Sequence, residues 1–192
     1  MNKLNVRMVP KWFSYSFTCC MLLWSVISHA QEKHLTRTGN VVFEASVPSF
    51  EEVKAKHANV SAVLTDSGEI AALILMKGFR FKLALMEEHF NENYTESTRY
   101  PQATFKGRIT DFTTEQLTET PVEYSAAGVM LIHGVNKDIT IPVLLSRNGD
   151  AVILSSEFVL LPEDFNIKIP KIVRNKIAET VDVSVSLELK TQ

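Results

Sequence analysis

The final stretch of the chain alternates with period two, and no other feature restricts the fold as strongly. Val181, Val183, Val185, Leu187 and Leu189 alternate with Asp182, Ser184, Ser186, Glu188 and Lys190. Successive side chains of a β-strand point to opposite faces, so this segment buries one face and wets the other. Phe79, Phe81 and Leu83 against Arg80 and Lys82 read the same way. So do Ala103, Phe105 and Ile109 against Thr104, Lys106 and Arg108, and Val41, Phe43 and Ala45 around Glu44. Further strands are expected over 58–64, 69–77, 122–133, 139–146 and 151–158.

Turn chemistry separates these runs. Asp66-Ser67-Gly68 lies between two of them, and Arg147-Asn148-Gly149-Asp150 contains Asn-Gly, a strong short-hairpin signal. Connections this short make neighbouring strands antiparallel. Two or three short helices interrupt the pattern. Ser49-Phe50-Glu51-Glu52 has capping-box spacing and leads into Val53-Lys54-Ala55-Lys56, which predicts a helix start. Leu85, Met86 and Phe90 have helical spacing within 83–91, and 169–177 reads as a helical turn or an irregular crossing.

About eight strands with one apolar face can stack as two sheets or close into a barrel. Closure also removes exposed edges. At eight strands the interior is either filled by side chains or holds one small ligand. Phe43, Met76, Phe79, Phe81, Phe105, Met130 and Phe158 put large adaptable groups on the inner face, and Ala45, Ala72, Ala103 and Gly107 leave room between them. Pattern alone leaves filled and hollow both open.

Residues 1–30 read as a secretory signal peptide. Lys3, Arg7 and Lys11 precede a mostly apolar run over 12–27, and Ser28-His29-Ala30 sets small residues before a cut at Gln31. The 16-residue run is short of the roughly 20 apolar residues of a spanning helix, so no stable transmembrane segment is expected after cleavage. One domain is then expected over 31–192. Both cysteines and both tryptophans lie in 1–30, which leaves the domain without disulfide, thiol nucleophile or cysteine metal site. Export without disulfides points to a bacterial periplasm or to secretion. Of 20 basic and 22 acidic residues, three basic and no acidic ones fall in 1–30, leaving 17 against 22 and a net charge of −5. That balance carries no nucleic-acid footprint.

Three stretches carry a family resemblance. Glu88-His89-Phe90-Asn91-Glu92-Asn93-Tyr94-Thr95-Glu96-Ser97 followed by Arg99-Tyr100-Pro101-Gln102-Ala103-Thr104-Phe105-Lys106-Gly107 resembles the central segment of the YceI-like family. Gly128-Val129-Met130-Leu131-Ile132-His133-Gly134-Val135-Asn136-Lys137 resembles that family's strand and G-V-T-K turn, with Asn136 in place of Thr. Phe158-Val159-Leu160, Asp164-Phe165-Asn166-Ile167 and Ile169-Pro170 resemble a third segment. The resemblance implies an all-β, eight-stranded antiparallel lipocalin-like barrel with one or two short helices and an elongated apolar interior. It further implies a binding protein, not an enzyme, that sequesters or carries a polyisoprenoid, a quinone-like molecule or a fatty acid, with no other cofactor. A homodimer is one candidate assembly. The chain departs from the better-studied branch at Leu85-Met86-Glu87-Glu88-His89-Phe90, where that branch has an Arg-Asp pair, so a different head-group contact is in play.

The expected ligand-binding residues are the inward Phe43, Met76, Phe79, Phe81, Phe90, Phe105, Met130, Ile132, Phe158 and Phe165, with His89, Asn91 and Tyr94 near the mouth. His89 amid Glu87, Glu88, Asn91 and Asn93 could cap a helix end, meet a head group or join a metal site, although a metal needs three or four convergent donors. His133, between an apolar strand and Gly134, reads as a strand-end hydrogen-bonding residue, and His34 and His57 read as solvent-exposed. No nucleophile elbow, phosphate loop or Ser–His–Asp pattern is present in the sequence.

Overall fold

A computed structural model describes residues 32–191. The segment read as a signal peptide lies outside the described residues. The strands run β1 (Lys33–Ser46), β2 (Lys54–Thr65), β3 (Glu69–Leu75), β4 (Arg80–Phe81), β5 (Gln102–Ile109), β6 (Val122–Ile132), β7 (Val135–Asn148), β8 (Ala151–Leu160) and β9 (Ile177–Thr191). One α-helix, α1 (Ala84–His89), sits between β4 and β5. The sheet order is β1-β9-β8-β7-β6-β5-β3-β2, and β2 pairs back onto β1, so eight antiparallel strands close a barrel. The two-residue β4 adds a short ladder to β2 at Ala55↔Phe81 and Lys56↔Arg80. Closure satisfies both edges of the sheet.

The hairpins set the register. His133-Gly134 joins Ile132 to its partner Val135 with φ of 50° and 75°, the left-handed pair of a type I′ turn. Asn148 pairs with Ala151, so the next loop is Gly149-Asp150, one residue beyond the expected Asn-Gly. Only Gly149 of those two has positive φ, 58°, which fits a turn with glycine first. Asp66-Ser67-Gly68 makes a three-residue loop with Gly68 at φ 85°.

Two expectations fail where tertiary pairing overrides a local signal. Residues 49–56 do not start a helix. Ser49 has φ 75°, unlike an N-cap residue, and Lys54 and Ala55 pair with Glu44 and Phe43 as the start of β2. Ser46 Oγ accepts the Val53 N–H at 3.1 Å, and Val53 C=O accepts the Ala45 N–H at 2.9 Å, which folds 47–53 into a loop between the strands. Over 79–83 only Arg80–Phe81 forms a strand, and Leu83 turns outward as the residue before α1.

Strand directions gather loops 47–53, 76–101, 133–134 and 161–176 at one end of the barrel, and 66–68, 110–121 and 149–150 at the other. The barrel interior is packed toward the second end. Leu64, Ile109, Val143, Leu145, Val152 and Leu189 are almost fully buried there, and Phe112 and Leu117 from 110–121 join the same core. Burying each such side chain contributes about 1.5–3 kcal/mol. A polar clamp stands beside it. His34, 3% exposed, is buried rather than solvent-facing: its Nε2 lies 3.3 Å from Asp66 Oδ1 and its Nδ1 3.3 Å from Thr191 Oγ1. Thr114 Oγ1 donates to Asp66 Oδ1 at 2.6 Å, and Arg147 donates to Thr114 C=O at 2.8 Å.

Between the two ends β5 and β6 approach closely at the pair Gly107↔Gly128. A Cβ on Gly128 would strike the Lys106 carbonyl oxygen, so glycine is required by backbone contact rather than by φ. The ring of Phe105 lies over Gly107, its Cζ 2.9 Å from where a Cβ would stand.

Candidate functional site: an apolar cavity in the open half of the barrel

The other half of the interior is hollow. A cavity of about 490 Å³ occupies it. Val41, Phe43 and Ala45 of β1, Ala103 and Phe105 of β5, Met130 and Ile132 of β6, Phe158 and Leu160 of β8, and Val181, Val183 and Val185 of β9 form its staves. Each is an inward position of a period-two strand, so the residues that close the barrel also line the void. Ile74 and Met76 add the β3 side. The interior is therefore both filled and hollow, in successive halves.

The segment between β3 and β5 covers one side. Met76–Gly78 makes a single 3₁₀ turn, and α1 passes into a wider π-helical turn, Phe90–Tyr94. Met86, His89, Phe90 and Tyr94 of this stretch face the cavity. Four phenylalanines meet here. Phe43 has its ring centroid 5.1 Å from Phe79, 5.6 Å from Phe81 and 5.3 Å from Phe90. Phe90 in turn lies 5.5 Å from Phe79 and 5.2 Å from Phe81. Such pairs add about 0.5–1.5 kcal/mol each beyond their buried area.

The strap between β8 and β9 covers the other side with Phe165, Ile167, Ile169, Val173 and Lys176. Its beginning is pinned to the β6–β7 turn. Pro162–Phe165 forms a 3₁₀ turn, Asn166 takes φ 57°, and His133 Nδ1 is 3.0 Å from Phe165 C=O. Lys137 pairs with Asp164. The expected strand-end role of His133 is thus its actual one. Its Nε2 stands 3.5 Å from Glu96 Oε2, and its ring meets Tyr100 edge-on at 4.5 Å.

Few polar residues line the cavity: Glu51, His89, Tyr94, Thr95 and Lys176 come from the loop end, and Thr104 from β5. Burial pushes the Tyr94 phenol up, so it stays neutral at physiological pH. Thr95 Oγ1 donates to Phe90 C=O at 2.7 Å and is occupied in closing the π-helical turn. Among the described residues no group of three His, Cys, Asp or Glu side chains is placed to hold a metal ion.

Every residue expected at the site lines this cavity except Asn91. That side chain donates to Glu87 C=O at 2.8 Å and accepts from Ser97 Oγ at 2.8 Å, so it braces the loop behind the wall. The valines of β9 are not among the expected site residues, although their alternation marks them as inward. Phe50, Val53, Ile169 and Val173 also line the cavity and carry no sequence signal, because they come from irregular loops without periodicity.

His57, expected in solvent, is 2% exposed. It occupies a bulge, with His57 opposite Val41 and Val60 opposite Gly39, so β2 carries one extra residue there. Its Nδ1 accepts the Asn59 N–H at 3.1 Å and its Nε2–H donates to Leu75 C=O at 3.1 Å, which specifies the neutral ring. Its ring abuts Phe79 at 5.3 Å, one shell behind the cavity wall. Burial, assisted by nearby Arg80, lowers its pKa below the ordinary histidine value, against the Leu75 hydrogen bond.

Solved structures share this architecture. A polyisoprenoid-binding domain from Saccharophagus degradans implicated in plant cell wall breakdown superposes with a TM-score of 0.72 at 15% identity, over 84% of this chain and 99% of that one. Burkholderia cenocepacia BcnA gives 0.64 at 17% identity, over 78% of this chain and 95% of that one. A Campylobacter jejuni YceI protein gives 0.56 at 15% identity, over 76% and 88%. Likeness at such identity establishes the fold. No curated protein sequence matches the chain. The YceI-like domain, however, matches residues 29–189, which spans the barrel from β1 to Leu189 near the end of β9, and the chain belongs to that family.

Proposed function

We propose that this protein binds an amphiphile with a single long apolar tail, a polyisoprenoid or a similar lipid, and sequesters or carries it. The observation that carries this reading is the division of the barrel. One half is packed, and the other holds about 490 Å³ walled almost wholly by apolar side chains, with most of its few polar groups at the loop end. A tail entering from the loop end stops against the packed half and leaves its head beside Glu51, His89, Tyr94 and Lys176. A volume of this size is ordinary for a small-molecule site. Each buried CH₂ contributes about 0.8 kcal/mol, so a tail needs no charged contact to bind tightly. Phenylalanine and methionine walls adapt to branched chains. The Saccharophagus degradans domain, described as polyisoprenoid-binding, supports the same class of ligand.

The reading extends to place. Residues 1–30 carry the order of a signal peptide, so the working compartment is the periplasm or the medium of a bacterium. No catalytic step is assigned to the protein; quinone-like and fatty-acid tails are alternative occupants of the same cavity.

Organic-solvent extraction of the natively purified protein, followed by mass spectrometry, tests the reading. One dominant long-tailed lipid is expected at near-unit stoichiometry. A lipid-free extract, together with failure of a polyprenyl alcohol to raise the melting temperature, overturns it.

A further inference from the structure

The strap over 168–176 has two faces of different character. Ile169 and Val173 turn inward and line the cavity, whereas Lys168, Lys171, Ile172 and Arg174 are exposed. Ile172 is 85% exposed, the highest value among the large apolar side chains described. An isoleucine held in water between Lys171 and Arg174 gains nothing for the fold. Other apolar side chains stand out at the same end: Leu85 at 60% exposed, with Phe50, Leu83 and Leu161.

The charges of this end are uneven. The whole chain is net −2, yet the strap holds Lys168, Lys171, Arg174 and Lys176 and no acid. The acids of this end lie outside the strap: Glu51, Glu52, Glu87, Glu88, Glu92 and Glu96 on the other loops, with Glu163 and Asp164 just before it, and of these Asp164 is paired with Lys137, Glu87 with Arg80 and Glu96 with Arg99. An exposed apolar anchor ringed by cations matches the two layers of an anionic bilayer: cations meet lipid phosphates, and the apolar tip enters the acyl boundary.

We propose that the loop end of the barrel docks on an anionic lipid bilayer through the 168–176 strap, with Ile172 as the inserted tip and Lys168, Lys171 and Arg174 as the phosphate contacts. Docked in this way, the cavity faces the membrane, and a lipid tail crosses between bilayer and barrel without exposure to water. The inward Ile169 and Val173 of the same segment place the docking surface within a few residues of the cavity wall. The docking itself needs no particular ligand in the cavity, so it stands or falls separately from the tail-binding reading.

Vesicle flotation tests the docking. The purified protein is mixed with vesicles of phosphatidylglycerol and phosphatidylethanolamine, and compared with K168Q/K171Q/R174Q and with I172S. None of these residues lines the cavity, so binding of a fluorescent apolar probe in solution is retained in both variants. About fivefold is expected per cation lost, hence about 100-fold weaker flotation for the triple variant. Loss of the buried tip in I172S weakens it by about tenfold. Raising salt to about 1 M, where the Debye length falls to about 3 Å, releases the wild type. A wild type that does not float with these vesicles, or a triple variant within tenfold of it, overturns docking. Docking that persists in a protein unable to bind the apolar probe would instead discard the tail-binding reading and leave this one standing.

Discussion

The ring of Phe43, on β1, stacks on the ring of Phe90, at the end of α1, with centroids 5.3 Å apart and 28° between their planes. This contact joins a stave of the barrel to the helical segment that covers it. Phe90 also meets Phe79 and Phe81, so one side chain ties the cover to three others. F90A removes all three contacts at a half-buried site. A stability loss of about 1–3 kcal/mol is expected by urea unfolding, at the low end for a phenylalanine deletion. The cover loosens as well, so an apolar probe dissociates several-fold faster in stopped flow. An unchanged off-rate would mean that the phenylalanine cluster is structural and does not gate the cavity.

Filling the cavity separates binding from folding. Ala103 of β5 faces the cavity, opposite Ile74 in the β3–β5 ladder. A103L projects a larger side chain into open space, so its cost to stability should stay within about 1 kcal/mol, below the usual cost of overpacking a filled core. Probe affinity should fall at least tenfold. A variant that binds as well as wild type would place the bound tail elsewhere.

Much of the fold was readable because a closed antiparallel barrel writes its inside and outside into alternate residues. β9 and β5 lie where their alternation put them. The helix expected at Ser49 failed for a reason no local signal carries, since Lys54 and Ala55 are claimed by Glu44 and Phe43 across a hairpin. His57 reads as surface from its neighbours Lys56, Ala58 and Asn59, whereas the bulge rotates the imidazole under Leu75 and Phe79. Phe43 and Phe105 were readable as inward, but the sequence does not tell a filled half from a hollow one. Leu64 and Leu145 meet partners across the packed half, whereas Met130 and Val183 face a void, and the same apolar alphabet writes both. The strap was illegible as a wall because Ile169 and Val173 follow no period.

The Gly107–Gly128 pair should tolerate no side chain. G128A drives a methyl into the Lys106 carbonyl, a rigid backbone atom that cannot yield as a side chain would. A loss of about 1–3 kcal/mol is expected from urea unfolding, with amide exchange accelerating first in β5 and β6. Uniform exchange across all strands would point to a global effect instead.

Acid should weaken the barrel through His57. The folded environment keeps the ring neutral, with Nδ1 accepting from Asn59 and Nε2–H donating to Leu75, and burial holds its folded pKa below the ordinary histidine value of 6.5. Above about pH 6.5 both the folded and the unfolded ring are neutral, and His57 adds no pH dependence. Below it the unfolded ring takes up a proton that the folded ring resists, so stability declines as pH falls, until the folded ring also protonates. Facing charges do not offset this, because the nearest cation, Arg80, disfavours a second positive charge. H57Q keeps a donor toward Leu75 and removes the titration. Urea unfolding of both proteins between about pH 8 and about pH 5 should therefore show the stability difference, wild type minus H57Q, shrinking with acid by up to about 1.4 kcal/mol per pH unit. A difference that stays constant over that range would show that the buried imidazole does not titrate against the fold.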